Sequence, residues 1–327
     1  MTDEACSGRF LKWSGLLAVL GAAALLPLFV TDFQLFRFTN ILIYAIALLG
    51  MNILVGYNGQ ISLGHGAFYA LGAYAAMLLI VHLDVPHWVA VPIAGLICLV
   101  FGFLFALPLL RLDAMHLAMA TFAVGAVLPS VAKFRGIDVW TGGGQGLGID
   151  EPAVPFGLSL GFDQWLYLLV LLVLVVSFLV AANLLHGRIG RAVIAIRDHP
   201  VAAQSAGINT VYYKSAIFGL SAMLVGIAGA LAALSIRYVA PGMFGVFLSF
   251  GLLIGIAVGG LGSLSGAIYG AIVLQFIFLV VGATARSLET FNYHLIYGVV
   301  LILFLCFFPH GIAGLVNRAW DRVRRKG

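Results

Sequence analysis

The sequence predicts an all-α, polytopic transmembrane bundle of roughly eight to ten spans, with broken or re-entrant glycine-rich segments. Three observations predict it. Apolar residues make up 63% of the 327 positions and charged residues 9%, against about 45–50% and about 25% in soluble domains. Mean hydropathy is +1.12. Apolar runs long enough to cross a bilayer recur along the chain, separated by polar breaks. One membrane domain covering residues 1–327 is expected, with no soluble module.

The runs follow in order. Arg9 and Lys12 precede Leu16 to Val30, which is expected to be an uncleaved first helix because further spans follow at once. Phe38 to Tyr57 is long enough to cross. Asn58 to Val81 opens on glycines, and Trp88 to Leu110 follows. Ala114 to Val131 contains Pro129 and leads into a long polar, glycine-rich segment, Ala132 to Asp163. Trp165 to Leu185 is the most uniformly apolar run and is expected to face lipid. Ser215 to Ile236, Phe244 to Gly260, Ala267 to Gly282 and Asn292 to Phe308 complete ten candidates, before a basic tail from Arg318 to Lys326.

Charge gives the orientation. With ten spans, both termini share a side with Arg111, Arg188, Arg191, Arg197 and Lys214. That side holds twelve basic residues, and the other holds five: Arg37, Lys133, Arg135, Arg237 and Arg286. The positive-inside bias places the richer side in the cytoplasm. Gly187 to Lys214 is then cytoplasmic and Ala132 to Asp163 faces out. The net charge of +5 follows from this placement and is no nucleic-acid signal. Cys6, Cys98 and Cys306 form no disulfide framework.

Gly187 to Lys214 is the polar interruption with the strongest positive charge. It reads as two short helices. Asp198 or His199 can cap the second, Pro200 suits its first turn, and Gly207 suits the left-handed position that ends it. Ala202 with Ala206, and Ala203 with Gly207, are four apart and share faces. Such a smooth, capped helix can lie in a groove of another protein. It can equally be a solvated connector.

The remaining chemistry is mostly absence. All twelve acidic residues fall outside the spans or at their edges, so no carboxylate stands ready to bind a driving ion within the bilayer. No glycine precedes any of the four lysines, so there is no phosphate loop. Zinc-helix and nucleophile-elbow motifs are missing, which argues against an enzyme, and no cofactor is expected. His65, His116 and His294 lie near span ends and read first as buried, paired histidines.

Glycine is the positive signal, with 40 residues. Gly72, Gly219, Gly226 and Gly229 read as helix-packing positions, as do Gly251, Gly255 and Gly259 in Gly-x-x-x-Gly spacing. Two clusters carry more: Gly59-Gln-Ile-Ser-Leu-Gly-His-Gly66 and Gly259-Gly-Leu-Gly-Ser-Leu-Ser-Gly266. There glycine sits beside polar side chains at a span end, where an unwound segment exposes backbone groups to a solute. Asn58, Gln60, Ser62, Gly64, His65 and Ser263 are the candidate path residues. The clusters share a Ser-Leu core, a weak internal repeat.

Five elements in this order resemble one permease family: Gly56 to Phe68, Thr141-Gly-Gly143, Gly190-Arg-Ala through Arg197-Asp198, Ala202-Ala203 through Gly207-Ile-Asn209, and Gly259 to Gly266. The chain is similar to the inner-membrane permease of branched-chain amino acid ABC importers, LivM type. The similarity runs from about Ile41 to Gly314 and extends to urea and short-amide importers. It implies a non-catalytic subunit that works with a second permease subunit, two cytoplasmic ATPases and a periplasmic substrate-binding protein. It also makes Gly187 to Lys214 the ATPase-coupling loop, with Arg191, Arg197, Asp198, Pro200, Ala202, Ala203 and Gly207 as its contact residues. The family's loop carries acids just before and within its Ala-Ala element. Here Pro200 and Gln204 stand at those places, and Asp198 is the acid at hand.

The orientation predicts a labelling pattern in intact cells. Cysteine introduced by Ser205→Cys should resist membrane-impermeant thiol reagents, while Gly144→Cys should react. The reverse pattern would contradict the topology.

Overall fold

The computed structural model describes residues 20–110, 114–155, 160–287, 298 and 311–314. Its helices are α1 (Asp32–Met51), continued by a π-helical turn (Asn52–Tyr57), α2 (His65–Leu83), α3 (His87–Leu109), α4 (Ala114–Val131) and the single turn α5 (Asp138–Thr141). Then come α6 (Phe162–His186), α7 (Arg188–Asp198), α8 (Pro200–Ser205), α9 (Thr210–Ile236), α10 (Val246–Gly259) and α11 (Leu264–Ser287). Two short strands, β1 (Leu147–Gly148) and β2 (Tyr238–Val239), pair antiparallel. The all-α expectation holds.

Among the described residues, six segments are long and apolar enough to cross a membrane: α1 with its π turn, α2, α3, α6, α9, and Pro241–Gly259 containing α10. Two shorter apolar helices, Met115–Val131 and Leu264–Leu279, follow the third and the sixth of them along the chain. The chain is a multi-pass membrane protein. Of the ten expected spans, Leu16 to Val30 lies partly outside the described residues and Asn292 to Phe308 almost wholly so, as do Cys6, Cys306, His294 and the basic tail.

The helix α9 is the axis of the bundle. Its most apolar window is 83% buried, against 33% for α6 and 39% for α3. It packs on α3, α2 and α1. Small residues allow this. A Cβ on Gly72 of α2 would overlap the Gly226 carbonyl of α9, and one on Gly229 would overlap the Tyr69 carbonyl. Between helices in lipid, attraction comes from close packing rather than from water exclusion, so this approach is the adhesive itself. The packing expectation for these glycines is met. The exposed face of α6 carries Leu172, Val176, Leu179 and Val180, as its uniform hydropathy anticipates.

The loops gather at two ends. At one end Arg197 of α7 meets the π turn, and the π turn meets the α10–α11 connection. At the opposite end the glycine-rich element after Thr141 is tied down. Thr141 Oγ1 donates to Ala132 O at 2.7 Å, and the Tyr238 hydroxyl donates to Gln145 O. Arg237 bridges Glu151 at 3.0 Å and Asp163 at 2.9 Å.

Gly72→Val places two methyl groups into backbone, and overpacking of this kind costs about 1–3 kcal/mol or more. The purified chain should unfold at a clearly lower temperature. Gly144→Ala, which meets nothing within 4 Å, should leave the unfolding temperature unchanged.

Candidate functional site

The polar loop builds the site from its own sequence. In α7, Gly190, Val193 and Ile196 are buried while Arg188 and Arg191 are exposed, the spacing of one helix face. Arg191 Nη1 donates to His186 O at 3.4 Å, within the loop itself. Pro200 sits at the first position of α8, as expected. The helix ends in two bonds, Gly207 N–H to Gln204 O at 2.9 Å and Ile208 N–H to Ala203 O at 3.0 Å. Gly207 takes φ +82° there, conformational space that costs glycine nothing. The capping expectation fails: His199 holds the N-cap position without a side-chain bond, and Asp198 ends α7.

Burial sorts the two alanine faces. Ala203 is only 5% exposed and turns into the bundle. Val201, Ala202, Ser205, Ala206 and Gly207 are exposed. Val201 at 76% is an apolar side chain held out in the open. The surface available to a partner is therefore the Ala202/Ala206 face, not Ala203.

Arg197 joins this loop to the spans. Its Nε bonds Asp198 Oδ1 at 2.9 Å, and its Nη1 donates to the Gly56 carbonyl at 2.9 Å. Gly56 lies in the π turn, whose altered hydrogen-bond spacing frees backbone groups for outside partners. The aliphatic part of Arg197 lies against Gly59. The ion pair with Asp198 is half exposed and adds little on its own. The bond to a span carbonyl is what holds the loop.

The same π turn reaches the second glycine cluster. Asn52, fully buried, donates from Nδ2 to Ser263 O at 2.6 Å and accepts at Oδ1 from Gly262 N–H at 2.9 Å. The Ser263 hydroxyl is occupied with Ser265 at 3.0 Å. The π turn, which leads into the first cluster, thus meets the second at one end of the bundle, with Ser263 among the contacts.

The first cluster also anchors the start of α2. Leu63 N–H bonds Thr121 Oγ1 at 3.1 Å and Gly66 N–H bonds Ser249 Oγ at 2.9 Å, so α4 and α10 both cap this buried helix end. Gly64 is pressed against the Thr121 carbonyl, leaving no room for a side chain. His65 is wholly buried, with Nδ1 2.7 Å from Ser62 Oγ and Nε2 2.9 Å from Ser221 Oγ. Ser221 donates its hydroxyl proton to Gly50 O at 2.7 Å. Nε2 must then carry the ring proton, and Nδ1 accepts from Ser62. A histidine with both nitrogens engaged is a lock between α1, α2 and α9, with no spare lone pair for a ligand.

Asn58 and Gln60 are buried and bond each other, Nδ2 to Oε1, at 2.9 Å. Asn58 Oδ1 and Gln60 Nε2 remain without partners among the described residues. They are the polar atoms of this cluster still free to receive a solute or water. The candidates therefore divide: Ser62, Gly64 and His65 hold structure, while Asn58 and Gln60 carry unused hydrogen-bonding capacity. Asn52, Thr121, Ser221 and Ser249 were missed by sequence reading, because a single polar residue in an apolar run does not announce its partner. A cavity of about 800 Å³ between Arg37 of α1 and Gln275 of α11 shares no residue with this junction. No group of three or more metal-ligating side chains occurs among the described residues.

Residues 35–305 match the family described as branched-chain amino acid transport system / permease component. The chain belongs to this family. It is 32% identical over 323 residues to the high-affinity branched-chain amino acid transport system permease protein LivM of Salmonella typhimurium strain LT2, covering 91% of this chain and 74% of that protein. LivM of Escherichia coli strain K12 gives the same identity and coverage. BraD of Pseudomonas aeruginosa is 25% identical over 295 residues, covering 83% of this chain and 91% of BraD. No solved structure matches. The matched region contains the π turn, both glycine clusters and the whole α7–α8 loop, so the junction belongs to the permease component itself.

Proposed function

We propose that this chain is the permease subunit of a binding-protein-dependent ABC importer in a bacterial inner membrane, moving leucine, isoleucine, valine or a close relative. Its termini and the α7–α8 loop face the cytoplasm. A second permease subunit, two ATPases and a periplasmic binding protein complete the machine. The observation that carries this reading is the α8 knob: exposed Val201, Ala202 and Ala206 on a helix tied through Arg197 to the broken end of α1. A smooth apolar projection with a rigid tie suits an ATPase groove. The relatives' names support the substrate class. None of the described Asp or Glu residues is buried, so none of these stands as a membrane carboxylate for a driving ion. Asn58 and Gln60 are the proposed polar contacts on the path.

Ala206→Arg adds bulk and charge to the exposed face, whereas Ala203→Arg would disrupt loop packing. With Ala206→Arg the chain should insert normally but lose ATPase co-purification and ATP-driven leucine uptake in proteoliposomes. Wild-type uptake should survive an ionophore at constant ATP. Uptake that needs the ion gradient and ignores ATP would contradict the proposal.

A further inference from the structure

The coupling reading leaves a mechanical gap. Arg197 grips only the end of α1, through Gly56 O at 2.9 Å. A push on the loop reaches α6 and α9, which it joins and packs against, and through Arg197 the end of α1; the way on into the α10–α11 connection runs through the π turn.

Asn52 sits on the other side of the same turn. Gly56 is packed so closely that a Cβ there would overlap Asn52 Oδ1 and lie 2.5 Å from Gly262 N. The Asn52 amide uses one donor and one acceptor on neighbouring backbone groups, Ser263 O at 2.6 Å and Gly262 N–H at 2.9 Å. That is the pairing a peptide group makes across a sheet, supplied here by a side chain. It satisfies the backbone that the α10–α11 break releases from helical bonding. Loop, π turn and break form a continuous series of short contacts.

The geometry points to Asn52 as the positioning residue that carries loop movement from α1 into α10 and α11, so that both hairpins shift together. This rests on the coupling reading of the loop. A primary amide is the side chain required. Aspartate lacks the donor when ionised, and leucine lacks both groups while keeping the same branched arrangement of heavy atoms.

The test uses the whole complex in proteoliposomes with internal ATP, leucine and its binding protein. Asn52→Leu should assemble with the ATPases and hydrolyse ATP at close to the wild-type rate. Leucine moved per ATP should fall about tenfold, within the 5–150-fold range of allosteric coupling between sites. A purely structural role would lower hydrolysis and uptake in parallel, and that result, or an unchanged ratio, overturns the inference. If Asn52→Leu does not insert, Asn52→Ser, whose hydroxyl is too short to span both backbone groups, carries the same comparison. Ala206→Arg separates the two claims. If it abolishes ATPase binding while the Asn52 variants keep a normal ratio, the loop reading stands and the Asn52 inference falls. If Ala206→Arg leaves ATPase binding intact, the loop reading fails and this inference fails with it.

Discussion

Backbone polar groups released within an apolar bundle must find partners inside the protein, and that constraint shapes this molecule. Each unpaired buried group costs about 1–3 kcal/mol, and more in hydrocarbon. The chain breaks helix twice at one end, between α1 and α2 and between α10 and α11. Each break is closed by borrowed side chains. Thr121 and Ser249 serve the first, and Asn52 serves the second. Arg197 adds the loop to the set through Gly56. The breaks are linked because the residues that satisfy their backbone come from elsewhere in the chain.

The two ends differ in kind. At the end away from the loop, Arg237 holds Glu151 and Asp163 together, β1 pairs with β2, and Thr141 pins the glycine turn to Ala132. At the loop end the contacts are few, directional and centred on glycine. Between them α9 is packed through Gly226 and Gly229 against α2 with no slack. Packed interfaces of this sort behave as rigid bodies that rearrange at defined joints rather than bending throughout. The joints available are the two breaks.

Much of this was legible in the sequence. The apolar runs mark the spans, because hydrocarbon thickness fixes their length. Pro200 and Gly207 mark the ends of α8, because a first-turn position does not need the N–H that proline lacks and glycine takes the positive φ beyond the last turn without strain. The shared Ser-Leu core of the two clusters reflects a real likeness: each directly precedes or opens a helix, α2 or α11, after a break at the same end. Other features were not legible. A six-residue helix offers two small-residue faces, and only tertiary packing decides that Ala203 turns inward. Asn52 lies in a run of apolar residues, and its partners are 210 and 211 positions away. His65 read first as a buried, paired histidine, and so it is, but its place in a glycine cluster also made it a path candidate and its partners were not legible. Its ring is spent on Ser62 and Ser221, and the second of these sits 156 positions further on.

The central claim is that the α7–α8 loop and the α10–α11 break move as one body. Spin labels on Ser205→Cys and Leu261→Cys, both at exposed positions, report the distance between loop and break. A second pair, Ser205→Cys with Leu104→Cys on exposed α3, reports loop against bundle. Both pairs are measured by pulsed electron resonance in the assembled transporter, with and without ATP. The account predicts that the Ser205–Leu261 distance stays constant while the Ser205–Leu104 distance changes. A Ser205–Leu261 distance that changes as much as the other would contradict it.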